Sequence, residues 1–183
     1  MKYKYIFLIA SFLFFSTSIM SQNEEAKWSA GISLASAKYS TDLQARKVGG
    51  MWAYQSPRFN ISRYLFHGLT LDAGFATAIG DNQKYTTFDG TLRYDFGSSY
   101  KNVVPYVLIG GSFIKAELLT PTVNVGVGNT FWFSSNYGLN MQFMYKYSED
   151  KFESQFSHIY TSVGLVYSFG NRYTSPRIWN SRR

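Results

Sequence analysis

Two histidines, 11 carboxylates and a scatter of serines are the material for chemistry in this chain, which has no cysteine. His158 has Ser157 before it, Ser162 after it and Glu153 upstream. A histidine that takes a proton from a serine while a carboxylate orients its ring is acyl-transfer machinery. Spacing alone brings none of these groups together, so a structural histidine is expected and no catalytic residue is assigned. His67 lies in "RYLFHG", a stretch of turn character. The lack of cysteine removes disulfides, thiolate metal sites and thiol nucleophiles. No ligand-spaced His/Asp/Glu cluster and no phosphate-cradling glycine loop occurs, so no metal and no cofactor is expected. A second set is Asp72, Arg93, Asp95 and Lys146, opposite charges that recur among small polar residues. Brought into one space, they would line an ion path or lock together as salt bridges.

What must position these charges is a set of strands. Period-2 alternation recurs between turn-rich breaks, and 16 Phe, 15 Tyr, 4 Trp and 15 Gly suit strands and tight packing. Eight strands are predicted. The first, "KWSAGISLAS", sets Trp28, Ala30, Ile32 and Leu34 against Ser29, Gly31 and Ser33. The second, within "GMWAYQSPRFNIS", changes parity between Tyr54 and Phe59, so a bulge or edge irregularity is expected at Pro57. The third, "LTLDAGFAT", places Asp72 opposite Leu69, Leu71, Ala73 and Phe75. The fourth, "FDGTLRYDF", places Asp89, Thr91, Arg93 and Asp95 opposite Phe88, Leu92, Tyr94 and Phe96. The fifth, "PYVLIGGSFI", is apolar on both sides; Val107, Ile109 and Phe113 are taken as its greasy face. "TVNVGVGNTFWF", "LNMQFMYKY" and "IYTSVGLVYSF" complete the set, with Lys146 on the polar side of the seventh.

The formal charge of +7 suggests nucleic acid until its distribution is read. Residues 22–170 hold 12 basic and 11 acidic side chains, so the body is nearly neutral. The N-terminus, "MKYKY" followed by 15 uncharged residues and then "SQNEEAK", has the layout of a secretory signal peptide, assigned to residues 1–21. Residues 22–170 form the predicted strand domain. Residues 171–183 are a basic tail carrying Arg172, Arg177, Arg182 and Arg183 and no acid.

The polar faces separate a soluble sandwich from a membrane barrel. They are mostly Gly, Ser, Thr, Asn and Gln, which fit a cramped interior better than a wet surface. The opposite faces are apolar along every strand, and strands in hydrocarbon must close so that no N–H or C=O stays unpaired. The fold class is therefore all-β: an eight-stranded antiparallel transmembrane up-and-down β-barrel. The connections after the second, fourth and sixth strands are tight. The others are mostly longer and more charged, and short turns face the periplasm in outer-membrane barrels. Trp28, Phe96, Tyr106, Phe131, Phe133, Tyr167 and Phe169 fall near the short-turn side and are expected to form a periplasmic aromatic girdle.

The stretches "PYVLIGGSF", "VNVGVGNTFWF", "GLNMQFMYKYS" and "SVGLVYSF" resemble the small eight-stranded outer-membrane barrel family that includes OmpX and the transmembrane domain of OmpA. The resemblance covers roughly Trp28 to Phe169, and it implies a bacterial outer-membrane location with both mature termini periplasmic. It departs at the end, where 14 residues follow Phe169. The expected role is non-enzymatic, with a plugged lumen of Asp72, Arg93, Asp95 and Lys146, serving the envelope structurally or through surface and partner binding. Outer-membrane lipid and the membrane's assembly machinery are the expected partners, and nucleic acid is not. The alternative is an accessory subunit of a larger outer-membrane secretion or assembly complex; a lipid A-modifying enzyme using His158 comes third.

Overall fold

The computed structural model describes residues 27–38, 52–79, 86–96, 101–115, 119–148 and 157–170. They form eight strands: β1 Trp28–Lys38, β2 Trp52–Phe66, β3 Leu69–Thr77, β4 Thr86–Asp95, β5 Val103–Lys115, β6 Leu119–Trp132, β7 Tyr137–Tyr147 and β8 His158–Ser168. Each strand pairs antiparallel with the next, and β8 closes onto β1 from Ser29↔Ser168 to Lys38↔Ile159. Closure leaves no sheet edge, so the backbone can cross an apolar medium with its hydrogen bonds made internally.

Alternation fixes what lies inside. On β3, Thr70, Asp72, Gly74 and Ala76 are buried, while Leu71 and Ala73 are exposed. On β6, Thr120, Thr122 and Asn124 are buried, whereas Val123, Val125 and Val127 are each more than half exposed. Among the described residues, the buried set holds 21 polar or charged side chains against 12 apolar ones. A water-soluble core has the reverse bias, so the hydrophobic surface of this fold is its outside.

The strand-two irregularity falls where parity demands it. Ser33 pairs with Arg58, but the next pair is Ala35 with Gln55, so one extra residue is inserted beside Pro57. Phe59 and Ile61 then face outward and Arg58 inward. Two strands run further than their composition suggests. The segment "RYLF", read in sequence as connection, belongs to β2, and a second irregularity between Tyr64 and Phe66 turns both Leu65 and Phe66 outward. The turn that remains is His67–Gly68, with φ of 47° and 82°. Positive φ at both positions is the sign of the two-residue turn whose twist matches a β-hairpin, and Gly68 adopts it without strain. Likewise β6 begins at Leu119, leaving only 116–118 after β5 where a longer loop is expected. The connections 39–51, 78–85 and 148–157 are longer; they and 116–118 mark one end of the barrel, the loop end. Connections 67–68, 96–102 and 133–136 mark the turn end, where β1 begins and β8 finishes.

Candidate functional site

The interior is the candidate site, because it collects the charges. Asp72, Arg93, Asp95 and Lys146 all point into the lumen and are buried. They do not form one network. Lys146 Nζ lies 2.6 Å from Asp89 Oδ1, and Arg58 Nη2 lies 3.1 Å from Asp89 Oδ2. One carboxylate from β4 thus bridges cations from β2 and β7. Thr87 supports the bridge, donating to Asp89 Oδ1 at 2.8 Å and accepting from Lys146 Nζ at 2.8 Å. Arg58 Nη1 also reaches Gln142 Oε1 at 3.4 Å, and the Tyr160 ring faces both cations, 4.4 Å from Lys146 Nζ. Glycine makes room for this group, since a side-chain carbon at Gly74 would stand on the Arg58 guanidinium.

The turn-end half is wired differently. Arg93 Nε lies 2.9 Å from Asp95 Oδ1, and Thr70 Oγ1 donates to Asp95 Oδ2 at 3.0 Å. The Arg93 guanidinium sits 4.6 Å from the centre of the Tyr106 ring. Tyr106 donates to Asn140 Oδ1 at 3.1 Å, and Asn140 Nδ2 donates to Thr130 Oγ1 at 2.9 Å. Asp72 takes hydrogen bonds from the Ser62 hydroxyl and from Asn60 Nδ2 and has no salt-bridge partner among the described residues. The described lumen therefore holds three cations, Arg58, Arg93 and Lys146, and three carboxylates, Asp72, Asp89 and Asp95.

Tyr106 corrects the expected girdle. It is 2% exposed and lies inside, where Gly128 across the β5–β6 ladder leaves space for its ring. In β5 the outward residues are Val103, Val107, Ile109 and Phe113, so their even-numbered neighbours Val104, Tyr106 and Leu108 must point inward. Trp28, Phe96, Phe131, Phe133, Tyr167 and Phe169 are all exposed at the turn end. Tyr167 stacks edge-on with Phe169 at 5.3 Å, and Tyr137 adjoins Tyr167 at 5.1 Å. Arg58 and Asp89 are the members that sequence reasoning missed from the charged set. Asp89 shares the parity of Arg93 and Asp95, which is the signal that finds it.

The acyl-transfer candidates are placed as follows. His158 and Ser162 are buried in the barrel interior. The Ser157 hydroxyl accepts from Ser148 N at 3.0 Å and donates to Ser148 O at 3.3 Å, tying the β7 and β8 ends together. Glu153, residues 1–21 read as a signal peptide, and the tail residues Arg172, Arg177, Arg182 and Arg183 lie outside the described residues. No group of three or more metal-ligating side chains occurs among the described residues.

A closed eight-stranded sheet, charged within and apolar without, is the architecture of a transmembrane-type barrel. Solved structures agree at the level of fold. The N-terminal β-barrel domain of Pseudomonas aeruginosa OprF aligns with a TM-score of 0.59 at 16% identity, covering 77% of this chain and 97% of that one. Neisserial surface protein A aligns at 0.56 and 17% identity, covering 78% and 97%. The attachment invasion locus protein Ail of Yersinia pestis, solved with the heparin analogue sucrose octasulfate, aligns at 0.52 and 14%, covering 79% and 97%. No protein-family model and no curated protein matches the chain.

Proposed function

We propose that this chain is an integral outer-membrane barrel with a plugged lumen and no enzymatic activity, serving the envelope structurally or by engaging partners beyond its rims. The observation that carries this reading is the inverted polarity of the wall. Leu34, Ile109, Val125 and Leu165 are each more than half exposed, while Arg58, Asp89 and Lys146 are almost wholly buried. In water such a wall would drive aggregation; in hydrocarbon it is the stable surface. The plug is supported by the paired charges and by the buried Tyr106, Tyr160 and Met144 side chains, since eight strands enclose little more space than side chains fill. Short turns and both mature termini are assigned to the periplasm by analogy with barrels of this fold. A non-enzymatic role accords with His158 being fully buried and the Ser157 hydroxyl being engaged by Ser148.

Reconstitution into planar bilayers tests the reading. The folded protein, identified by an electrophoretic mobility in SDS that shifts on boiling, is expected to insert without stable conductance. Stable nanosiemens-scale steps would refute the plug. Absence of any boiling shift in membrane extracts would refute the barrel in the membrane.

A further inference from the structure

The three described carboxylates all point into the lumen, while Lys27, Arg63, Lys101 and Lys115 are exposed. Arg63 differs from the others because it stands on the apolar wall itself. Across the ladders it pairs with Trp28 of β1 and Leu71 of β3, and Ile61 and Leu65 flank it along β2. An arginine on a lipid-facing strand is costly at mid-membrane and nearly neutral near the headgroups. Its charge therefore needs either water or an anion. Among the described residues, no carboxylate pairs with Arg63.

What the protein does supply is a seat. The Arg63 guanidinium carbon lies 5.2 Å from the centre of the Trp28 ring. Stacking on an aromatic face occupies the flat side of a guanidinium and leaves its N–H edge free, the edge that matches phosphate in two parallel hydrogen bonds. Arg63 and the Trp28 indole stand beside the exposed apolar side chains Ile61, Leu65 and Leu71, with no paired carboxylate among the described residues. A ligand that fits must join a negative phosphate to hydrocarbon.

We propose that Trp28 and Arg63 form a binding site for the phosphate of an anionic phospholipid, whose acyl chains lie along the neighbouring wall of β1–β3. A free phosphate would use only the charged half of the site. The proposal rests on the membrane-barrel reading above, because only an inserted wall meets lipid. The site holds a lipid of the leaflet at the turn end and so fixes the depth of the barrel beside its closing seam.

The test uses the full chain reconstituted in vesicles of equal parts phosphatidylcholine and phosphatidylglycerol, extracted gently and examined by native mass spectrometry. Wild-type protein is expected to retain phosphatidylglycerol in preference to phosphatidylcholine. Arg63→Gln should reduce that preference several-fold, and Trp28→Leu with Arg63→Gln should abolish it. Lys115→Gln, which removes an exposed cation at the loop end, should leave it unchanged. A double variant with wild-type enrichment overturns the site, as does a Lys115→Gln variant that loses as much. Phosphatidylglycerol released by added inorganic phosphate overturns the lipid assignment. If the wild type shows no boiling shift and carries off no lipid of either kind, the membrane reading itself has failed and the site falls with it.

Discussion

The two halves of the lumen satisfy the same electrostatic need by different means. At the loop end one carboxylate, Asp89, serves two cations, Lys146 and Arg58, with both oxygens in use. At the turn end Asp95 serves Arg93 alone, and the Tyr106 ring faces the same guanidinium. Burial sharpens the contrast: Lys146 is 0% exposed and Arg93 9%. A shared anion makes the loop-end cluster dependent on a single side chain. A private pair with an aromatic backing spreads the dependence. Two cations on one carboxylate also leave that cluster with an excess positive charge, whereas Asp72 adds a carboxylate near the other end without a cation of its own. The described lumen charges thus sum to zero, Arg58, Arg93 and Lys146 against Asp72, Asp89 and Asp95.

The sharpest way to break this comparison is at Asp89. Asp89→Asn keeps the volume and removes the charge that both Lys146 and Arg58 face. Leaving buried charges uncompensated costs about 3–5 kcal/mol, and here two cations lose their anion at once. Urea unfolding of the barrel refolded in lipid should show this loss, and Lys146→Met in the Asp89→Asn background should recover part of it. A loss below that of the turn-end variant would mean that the bridging geometry does not govern stability.

Asp95→Asn is the matched turn-end change, and a smaller effect is expected. The amide oxygen can still accept from Thr70 and Arg93, and the arginine keeps its ring contact and a little solvent. A lost charge-assisted contact of this kind costs about 1–3 kcal/mol. The same unfolding experiment compares the two variants directly, and equal losses would erase the distinction between shared and private anions.

The barrel itself was legible in the sequence because it depends on a two-residue period that every strand repeats. The faces of β3, β4, β6 and β7 follow directly from residues such as Leu71, Asp72, Val125 and Lys146. The site was less legible, for two physical reasons. Arg58 sits at the bulge, where the period slips by one residue and side-chain direction cannot be counted through from Trp52 and Tyr54. Which cation meets which anion depends on register between strands that are distant in sequence, as with Lys146 and Asp89. Tyr106 is different. Placing Val107 on the lipid face already requires Tyr106 to point inward, because adjacent strand residues cannot share a face without a bulge. Position near a strand end suggested a girdle residue; parity, the stronger constraint, excludes it.

Tyr106 also gives the mildest test of the turn-end cluster. Tyr106→Phe removes the hydroxyl that donates to Asn140 but keeps the ring beneath Arg93. Asn140 retains its bond to Thr130, so only one hydrogen bond is lost, a change of about 0.5–1.5 kcal/mol. If the ring is what backs the arginine, Tyr106→Phe should cost less than Asp95→Asn, and Tyr106→Leu should cost more than Tyr106→Phe because the cation–π contact disappears with the ring. Equal losses for Phe and Leu would show that the hydroxyl network, not the aromatic face, holds the turn-end half together. That result would leave Arg93 dependent on Asp95 alone, and the two halves of the lumen would then differ only in how many cations each acid must serve.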